Sequence, residues 1–299
     1  MTITTPNTLL GDKQTSLNAA LASDNRNDTA EPNPVQASPV QPDPVQPDPD
    51  ASDQQRLDQC WYLSGATAIG KTAVALPLAE RLGAEVLSVD SMAVYRGMDI
   101  GTAKPTTDQR ARVPHHLIDL VDPSEEFSVA QYRQLAIDRV RDVQSRGKTP
   151  LFVGGTPLYL KCLLRGLFDG PPADWDLRVE IEAELERVGA DALHDRLTQV
   201  DPVAASQIHA NDTRRIVRAL EVYRATGQPI SHQQMEFEDG RPAEECRVFV
   251  LTRPRDERAQ RIEQRVDAMM DAGLVDEVRA LTSGGRRLGR TASQAVGYR

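Results

Sequence analysis

Short apolar runs alternate with amphipathic stretches along most of the chain, beginning near Cys60. Apolar runs bounded by turn residues are typical of buried strands. Strands separated by helices are typical of a parallel sheet that is covered on both faces. The alternation therefore predicts an α/β fold, with strands at Trp61–Leu63, Glu85–Val89, Leu117–Val121, Leu151–Val153 and Arg247–Leu251.

One helix is marked at both ends by its sequence. Ser128 and Gln131 form the S-x-x-Q pattern of a capping box, and Gly147 follows the last apolar position. The apolar positions between them recur at helical spacing and are Tyr132, Ala136, Val140 and Val143. We therefore predict that a helix covers one face of the sheet at this point.

The alternation stops between about Asp174 and Asp212, where no strand fits the pattern. Two helical stripes follow each other there, and Asp201-Pro202 opens a short third helix. The stripes consist of Leu177, Ile181, Leu185 and Val188, and then of Leu193, Leu197 and Val200. We predict a small all-helical insertion domain over residues 173–212, between two parts of the core at 57–172 and 213–299.

The first 56 residues differ in composition from the rest of the 299-residue chain. They contain a crude Pro-Val-Gln repeat from Pro34 to Asp50 and have eight acidic against three basic residues. Such a segment cannot bury enough apolar surface to offset the entropy of ordering, so residues 1–56 are predicted to be a disordered acidic extension. The extension carries −5 of the net charge of −9, so the acidic balance does not exclude a nucleic-acid partner.

Several protein classes are disfavoured by what the sequence lacks. No apolar run is long enough for a transmembrane helix, and the N-terminus does not resemble a secretory signal. Cys60, Cys162 and Cys246 lie far apart, which argues against a zinc ribbon and a disulfide scaffold. The neighbouring His115 and His116 would point to opposite faces of a strand and make a poor metal clamp. We expect a cytoplasmic protein with no membrane contact.

A phosphate-loop motif follows one of the predicted strands and is the most specific chemical signal at a strand end. The run matches G-x-x-x-x-G-K-[ST] and comprises Gly65, Ala66, Thr67, Ala68, Ile69, Gly70, Lys71 and Thr72. In such a loop, successive backbone N–H groups and a helix N-terminus converge on phosphate oxygens, the lysine adds positive charge, and the threonine hydroxyl can bind Mg²⁺. The motif predicts a site for a phosphate or diphosphate.

The residues at the ends of the strands near this loop do not fit those of a typical ATPase or kinase. The strand Leu151–Val153 runs into Gly154-Gly155-Thr156 instead of the carboxylate that helps to hold magnesium in P-loop NTPases. Another strand ends at Asp90, which supplies one carboxylate. The residues alone leave open whether Asp90 binds a metal, acts as a general base or caps the strand end.

Two basic stretches could bind anions. The helix that begins after Asn211-Asp212 carries Arg214, Arg215 and Arg218 near its N-terminus, where cations oppose the helix dipole. Arg215 and Arg218 share a face and could bind a phosphate or diphosphate, or the face could be solvated and paired with Glu221. The stretch from Arg286 to Arg299 could contact nucleic acid or be a solvated tail.

Taken together, the motifs resemble those of the tRNA dimethylallyltransferase family, in the family's order and from about residue 61 to the end. Besides the phosphate loop they are Ser88–Ser91, Val94–Pro105, Pro114–Asp119, Val153–Tyr159, Asn211–Glu221 and Val296–Arg299. The segment Met98–Pro105 is the most specific of them. The family transfers a dimethylallyl group from dimethylallyl diphosphate to N6 of adenosine at tRNA position 37, next to the anticodon, and releases diphosphate.

The resemblance implies a P-loop NTPase-like parallel sheet, a helical insertion that grips the anticodon stem-loop, and roles for individual residues. Residues 65–72 hold the diphosphate with Mg²⁺ at Thr72, and Lys71, Asp90 and Thr156 are catalytic, Asp90 being the general base. The residues that match tRNA-contacting positions are Asp90, Ser91, Met92, Ala93, Thr156, Arg178, Arg214, Arg215, Ile216, Val217, Arg218, Gln294, Ala295, Val296, Gly297, Tyr298 and Arg299.

The chain departs from the family pattern in three places. Ile69 stands where a small or hydroxyl residue is expected, the acidic N-terminal extension is unusual, and the sequence stops at Arg299, where family members usually continue. The alternatives are an enzyme that prenylates AMP or ADP, a P-loop kinase for a small molecule, and a non-catalytic RNA-binding protein. We expect a monomer.

Overall fold

The computed structural model describes residues 2–4, 51–166, 170–234 and 247–298. Five strands are parallel, and a sixth lies antiparallel at one edge, in the spatial order β1-β6-β2-β5-β3-β4. The strands are β1 (Thr2–Thr4), β2 (Trp61–Gly65), β3 (Ala84–Val89), β4 (His115–His116), β5 (Thr149–Gly154) and β6 (Val248–Thr252). The predicted α/β class with a parallel sheet is confirmed.

Twelve α-helices are present in the described ranges. They are α1 (Asp53–Asp58), α2 (Lys71–Leu82), α3 (Thr107–Arg112), α4 (Val129–Ser145), α5 (Pro157–Arg165), α6 (Trp175–Val188), α7 (Ala190–Val200), α8 (Pro202–Gln207), α9 (Thr213–Thr226), α10 (Ile230–Gln234), α11 (Arg255–Asp271) and α12 (Leu274–Thr282). In this described part, no helix combines the length and the apolar character needed to cross a membrane.

Local signals explain where several helices begin. Ser128 accepts a hydrogen bond from the N–H of Gln131, as the capping box predicts, and the apolar face of α4 is buried. Ser52 and Gln55 form a second capping box, so α1 begins inside the segment that was predicted to be disordered. That boundary was wrong because Leu57 is the only buried residue of α1, which is too weak an apolar signal to indicate a helix. Thr2–Thr4 also form a strand instead of a disordered end.

The predicted strand Leu117–Val121 is wrong. The strand ends at His116, and Leu117 and Asp119 have φ angles of 62° and 57°, which lie in the left-handed region and break an extended chain. The apolar run is nevertheless partly buried, since Leu117 is 5% exposed. The apolar pattern indicated the burial correctly, but it did not indicate the turn.

The chain divides into two compact units, residues 1–160 with 242–299 and residues 161–241. In the first unit, the core on one side of the sheet joins β2, β3, β5 and β6 to α2, and includes Leu63, Ile69, Ala79 and Leu151. The second unit contains the three helices that were predicted for residues 173–212. It also includes α9 and α10, because Ile216 and Leu220 pack with Ile181, Leu193 and Leu197 in one core.

Candidate functional site

The phosphate loop leaves the end of β2 and enters α2, as its sequence requires. Gly70 has a φ of 101° and gives α2 no side-chain cap, so the first N–H groups of the helix are left for an anion. Lys71 folds back over the loop, and its Nζ donates to the carbonyl oxygens of Gly65 at 2.8 Å and Ala66 at 3.0 Å. Both partners of Lys71 are uncharged oxygens, so its charge is not neutralised by them.

The side chain of Ile69 is buried in the core of the first unit. Its residue is only 2% exposed and belongs to the core cluster that includes Leu63 and Ala75. The departure from the family pattern therefore adds apolar packing beneath the loop. The backbone N–H groups of the loop, which supply the principal contacts to phosphate, do not depend on this side chain.

The glycines at the end of β5, Gly154 and Gly155, leave no space for a side chain beside Lys71. A Cβ atom at Gly154 would lie 2.1 Å from the carbonyl oxygen of Val89. A Cβ atom at Gly155 would lie 2.8 Å from the carbonyl oxygen of Gly65 and 3.4 Å from Lys71 Nζ. These contacts explain why glycine stands where many P-loop proteins have an acid: β2, β3 and β5 approach closely here.

Asp90 and Thr156 meet at the carboxyl ends of β3 and β5. Asp90 Oδ1 accepts from the N–H of Met92 at 2.8 Å and of Ala93 at 3.3 Å. Thr156 Oγ1 accepts from the N–H of Ser91 at 3.1 Å. The carboxylate and the hydroxyl are thus fixed by backbone groups, at the sheet edge where open α/β folds place their sites.

Lys71, Asp90 and two arginines that sequence reasoning missed share this region. Burial lowers the pKa of Lys71, the Asp90 carboxylate raises it, and Arg265 lowers it further. Arg261, one turn before Arg265 on α11, donates from Nε to the carbonyl oxygen of Ala68 at 2.8 Å. The four-residue spacing of Arg261 and Arg265 indicated that the two arginines share one face of a helix. Nothing in the sequence linked α11 to the loop.

A cavity of about 790 Å³ adjoins Arg265 in the first unit. One wall is the segment from Asp99 to Arg110, and the other is the face of α11 that carries Arg265, Ala268 and Met269. Most of the family-specific segment Met98–Pro105 thus lines the same cavity as Arg265.

This segment is held in place by a buried lysine. The side chain of Lys104 is 1% exposed, and its Nζ donates to Tyr95 O, to Asp99 Oδ1 at 2.7 Å and to Asp119 Oδ1 at 2.6 Å. Asp119 also binds Arg110 at 3.0 Å. Two of the motifs that carry the resemblance, Val94–Pro105 and Pro114–Asp119, are therefore joined by one ion-pair network.

The C-terminal segment is docked and is not a solvated tail. The N–H of Gly289 donates to Pro123 O at 2.7 Å, and Glu126 accepts from the N–H of Arg290. Tyr298 is 5% exposed, accepts from the N–H of Gly101 and donates to Glu277. The alternative of a solvated tail is therefore wrong for residues 289–298.

Within the predicted tRNA-contacting segment at the C-terminus, exposure differs between neighbours. Val296 is 93% exposed, and Gln294 and Gly297 are also exposed, whereas the side chains of Ala295 and Tyr298 are buried. Arg299 lies outside the described residues. The tRNA-binding role of the segment stays a prediction, with Gln294 and Val296 as its accessible side chains.

The arginines of the second unit are largely paired. Arg218 binds Glu221 Oε2 at 2.8 Å and donates to Pro171 O at 2.9 Å, and Arg178 Nε donates to Glu221 Oε2 at 2.8 Å. Arg215 contacts Asp212 at 3.3 Å, with 71% of its side chain exposed. This pairing is the alternative that the sequence left open. A diphosphate-binding role for Arg215 and Arg218 remains a prediction.

Three other residues of the predicted tRNA-contacting set face inward. Ile216 and Val217 belong to the core of the helical unit, and Ala93 is 4% exposed. Their side chains therefore support the fold, while Arg214, which precedes them, is exposed.

The donor set at the phosphate loop fits a magnesium ion that arrives with its substrate. Within the described ranges, no group of three His, Cys, Asp or Glu side chains could hold a metal ion. Mg²⁺ commonly keeps several waters and binds through one or two protein oxygens plus substrate phosphates. The exposed hydroxyl of Thr72, next to Lys71 at the start of α2, supplies such an oxygen.

Known proteins share both the sequence and the fold of this chain. A family model described as IPP transferase matches residues 93–299. The tRNA dimethylallyltransferase of Rhodopirellula baltica is 53% identical over 250 residues, which cover 81% of this chain and 75% of that protein. The enzyme of the same name from Geobacter metallireducens is 47% identical over 237 residues, covering 79% of this chain and 77% of the relative.

Two solved structures extend the comparison. The tRNA isopentenylpyrophosphate transferase of Bacillus halodurans matches with a TM-score of 0.54 and 43% identity, over 81% of this chain and 75% of that one. A eukaryotic dimethylallyltransferase described as acting on tRNA matches with a TM-score of 0.62 and 30% identity, over 74% of this chain and 55% of that one. The P-loop NTPase-like core and the family motifs agree with these matches, and the chain belongs to the tRNA dimethylallyltransferase family.

Proposed function

We propose that this chain transfers a dimethylallyl group from dimethylallyl diphosphate to N6 of the adenosine at tRNA position 37 and releases diphosphate. The observation that carries the proposal is the pairing of a phosphate loop with one carboxylate, Asp90, which follows β3 and interacts electrostatically with Lys71. The names of the relatives, and the absence of an acid where β5 ends in Gly154, favour prenyl transfer over phosphoryl transfer.

The leaving group determines most of the chemistry. As the bond between C1 of the allyl group and the diphosphate oxygen breaks, its electron pair leaves with the diphosphate, and a bond forms from N6 to C1. Lys71, the N–H groups at the start of α2, and Arg261 and Arg265 supply positive charge where this negative charge develops. Preorganised charge of this kind is usually the largest contribution to catalysis.

Asp90 is proposed to accept the proton that N6 loses. Its Oδ1 is engaged by the N–H groups of Met92 and Ala93, which orients the carboxylate and leaves Oδ2 to accept the proton. Thr156, held by the N–H of Ser91, would position the adenine amine in hydrogen-bond reach. The exocyclic amine is a weak nucleophile, so this positioning matters as much as the basicity of Asp90.

Mg²⁺ is proposed to bind the diphosphate with the hydroxyl of Thr72 as its protein ligand. When bound, the ion would neutralise part of the charge on the leaving diphosphate. The proposal predicts that a chelator abolishes transfer and that added Mg²⁺ restores it, whereas tRNA affinity changes little.

The tRNA substrate would be held by the helical second unit through its anticodon stem-loop. Arg214 and Arg215 are exposed on α9 and can contact phosphates. The target adenosine must leave its stack to reach the phosphate loop, as in other enzymes that modify bases. Because the substrate is tRNA, we also propose a cytoplasmic location; a monomeric state stays a prediction.

The direct test is a transfer assay with labelled dimethylallyl diphosphate, offering tRNA and AMP side by side. We expect label in tRNA that has adenosine next to the anticodon. Label in AMP alone would establish the alternative acceptor, and release of the γ-phosphate of ATP would establish a kinase or an ATPase. Either result would contradict the proposal.

Asp90→Asn tests the general base within the same assay. We expect turnover to fall by roughly 10²–10⁴-fold, the usual contribution of a positioned base, with unchanged tRNA affinity. Asp138→Asn is the matched control, because Asp138 lies on the exposed side of α4 and pairs with Arg141. Full turnover in Asp90→Asn would remove Asp90 from the base role.

A further inference from the structure

Trp175 is an exposed tryptophan in the helical second unit. It is one of only two tryptophans in the chain, occupies the first position of α6, and is 42% exposed. Tryptophan is strongly buried on average, and soluble proteins expose few of these side chains beyond what function needs. Val179, one helical turn later, is 63% exposed, so apolar surface extends along the same face of α6.

The position of the tryptophan ring is fixed by a cation. The guanidinium carbon of Arg178 lies 4.7 Å from the centroid of the Trp175 ring. Arg178 is in turn fixed by Glu221, whose side chain is 1% exposed and accepts from Arg178 Nε at 2.8 Å and from the N–H of Asp174 at 2.7 Å. The ring is therefore preorganised by a buried carboxylate through an arginine.

The charges near the ring favour a base over a phosphate as its ligand. The helix that carries Trp175 has acidic residues at Asp176 and Glu180, which repel a sugar-phosphate backbone that runs along α6. An unpaired base is uncharged and has a flat face. Aromatic rings and arginine guanidinium planes are the surfaces on which proteins stack the unpaired bases of RNA loops.

We infer that Trp175, backed by Arg178, is a stacking surface for an unpaired base of the tRNA anticodon loop. The inference rests on the proposed function and adds a specificity-determining residue to it. It predicts that the helical unit distinguishes a stem-loop from a plain duplex by the bases that the loop exposes, in addition to phosphate contacts made by arginines.

The chain offers a direct spectroscopic test, because the other tryptophan can be replaced conservatively. Trp61 stacks on Phe249 at a centroid distance of 5.5 Å and lies in β2, so Trp61→Phe retains an aromatic ring there. In this single-tryptophan protein, titration with a synthetic anticodon stem-loop should quench the emission of Trp175. A hairpin-free duplex with the same stem pairs should not quench it.

Two substitutions test the contribution of the ring to affinity. Trp175→Leu retains apolar volume but removes the aromatic face, and we expect the dissociation constant for the stem-loop to rise roughly tenfold. Trp175→Phe retains the face and should bind within about threefold of the parent protein. The KM for dimethylallyl diphosphate should not change in either variant.

The outcomes separate this inference from the proposed function. If the parent enzyme modifies tRNA, but Trp175 emission does not respond to the stem-loop and Trp175→Leu binds it normally, the stacking role is wrong and the function stands. Equal quenching by the duplex would also overturn the stacking role. If no tRNA is modified by the parent enzyme, the proposed function itself fails.

Discussion

Positive charge is used differently at the phosphate loop and on helix α9. At the loop, Lys71 contacts two backbone carbonyls and Arg261 contacts a third, so these cations have uncharged partners. On α9, Arg218 binds the buried Glu221, and Arg224 binds Glu184 at 2.6 Å. The charge at the loop is available to an anion, whereas much of the charge on α9 is already paired.

This difference shows why a basic motif in a sequence is ambiguous. The arginines at the start of α9 and the pair on α11 both have helical spacing, and the sequence alone favoured the former for the diphosphate. A buried carboxylate such as Glu221 changes the role of a nearby arginine, because an unpaired buried carboxylate would lower the stability of the fold by several kcal/mol. The partner decides whether an arginine supports the fold or binds a ligand.

Among the tests of this comparison, the largest effect is expected from removing the central cation of the loop. Lys71→Ala should lower dimethylallyl transfer by roughly 1,000-fold, because a preorganised charge that stabilises the leaving group is lost. Lys148→Ala, a change at an exposed lysine beside β5, should transfer at the parent rate. Single-turnover assays measure the chemical step, and a loss of less than tenfold in Lys71→Ala would contradict the comparison.

Substitutions at the buried carboxylate of the second unit should change the stability of the protein instead of its transfer chemistry. Glu221→Ala leaves Arg178 and Arg218 without their buried partner, so we expect its free energy of unfolding to fall by about 3 kcal/mol. Glu180→Ala removes an exposed carboxylate from α6 and should change it by less than about 0.5 kcal/mol. Urea denaturation measures both variants. If they behave alike, Glu221 does not organise the arginines.

A paired substitution compares the two regions directly. Arg265→Gln should raise the KM for dimethylallyl diphosphate by roughly 30-fold, as expected when one charged hydrogen bond to a diphosphate is lost. Arg215→Gln should leave this KM unchanged and raise the KM for tRNA by about threefold through one lost phosphate contact. The opposite result would support the diphosphate-binding role that the sequence predicted for Arg215 and Arg218.

The smallest expected effect is a pH dependence of stability in the first unit. Hydrogen bonds from Arg146 and then from His116 hold the pKa of Glu85 below its ordinary value, against the opposing effect of burial. A lowered pKa in the folded state gives stability above the ordinary glutamate pKa of about 4.3, and this stability is lost as the pH falls below that value.

Glu85→Gln removes this titration. We expect the free energy of unfolding of the variant to be lower than that of the parent protein by on the order of 1 kcal/mol at neutral pH. This difference, the stability gap, should be smaller at about pH 4. Thermal unfolding at the two pH values measures the gap. A gap that does not change with pH would show that Glu85 does not contribute through its charge.

Much of the site could be predicted where the signal is local. The phosphate loop requires glycine at fixed positions and a strand and a helix on either side, so residues 65–72 identify their own conformation. Asp90 could be placed because the carboxyl ends of parallel strands share one edge of the sheet. The wrongly predicted strand at Leu117–Val121 shows the limit, since the chain turns there and Asp119 binds Lys104 and Arg110.

The sequence by itself determined the α/β class, the phosphate loop, the helical insertion and the family, because each follows from short-range spacing or from motifs in a fixed order. Only the tertiary structure decided that α11 brings Arg261 and Arg265 to the loop, that Glu221 also binds Arg178 of α6, and that Tyr298 is docked by Glu277. The physical reason is that a charged side chain acts through its nearest partner. In a folded chain that partner commonly lies tens or hundreds of residues away.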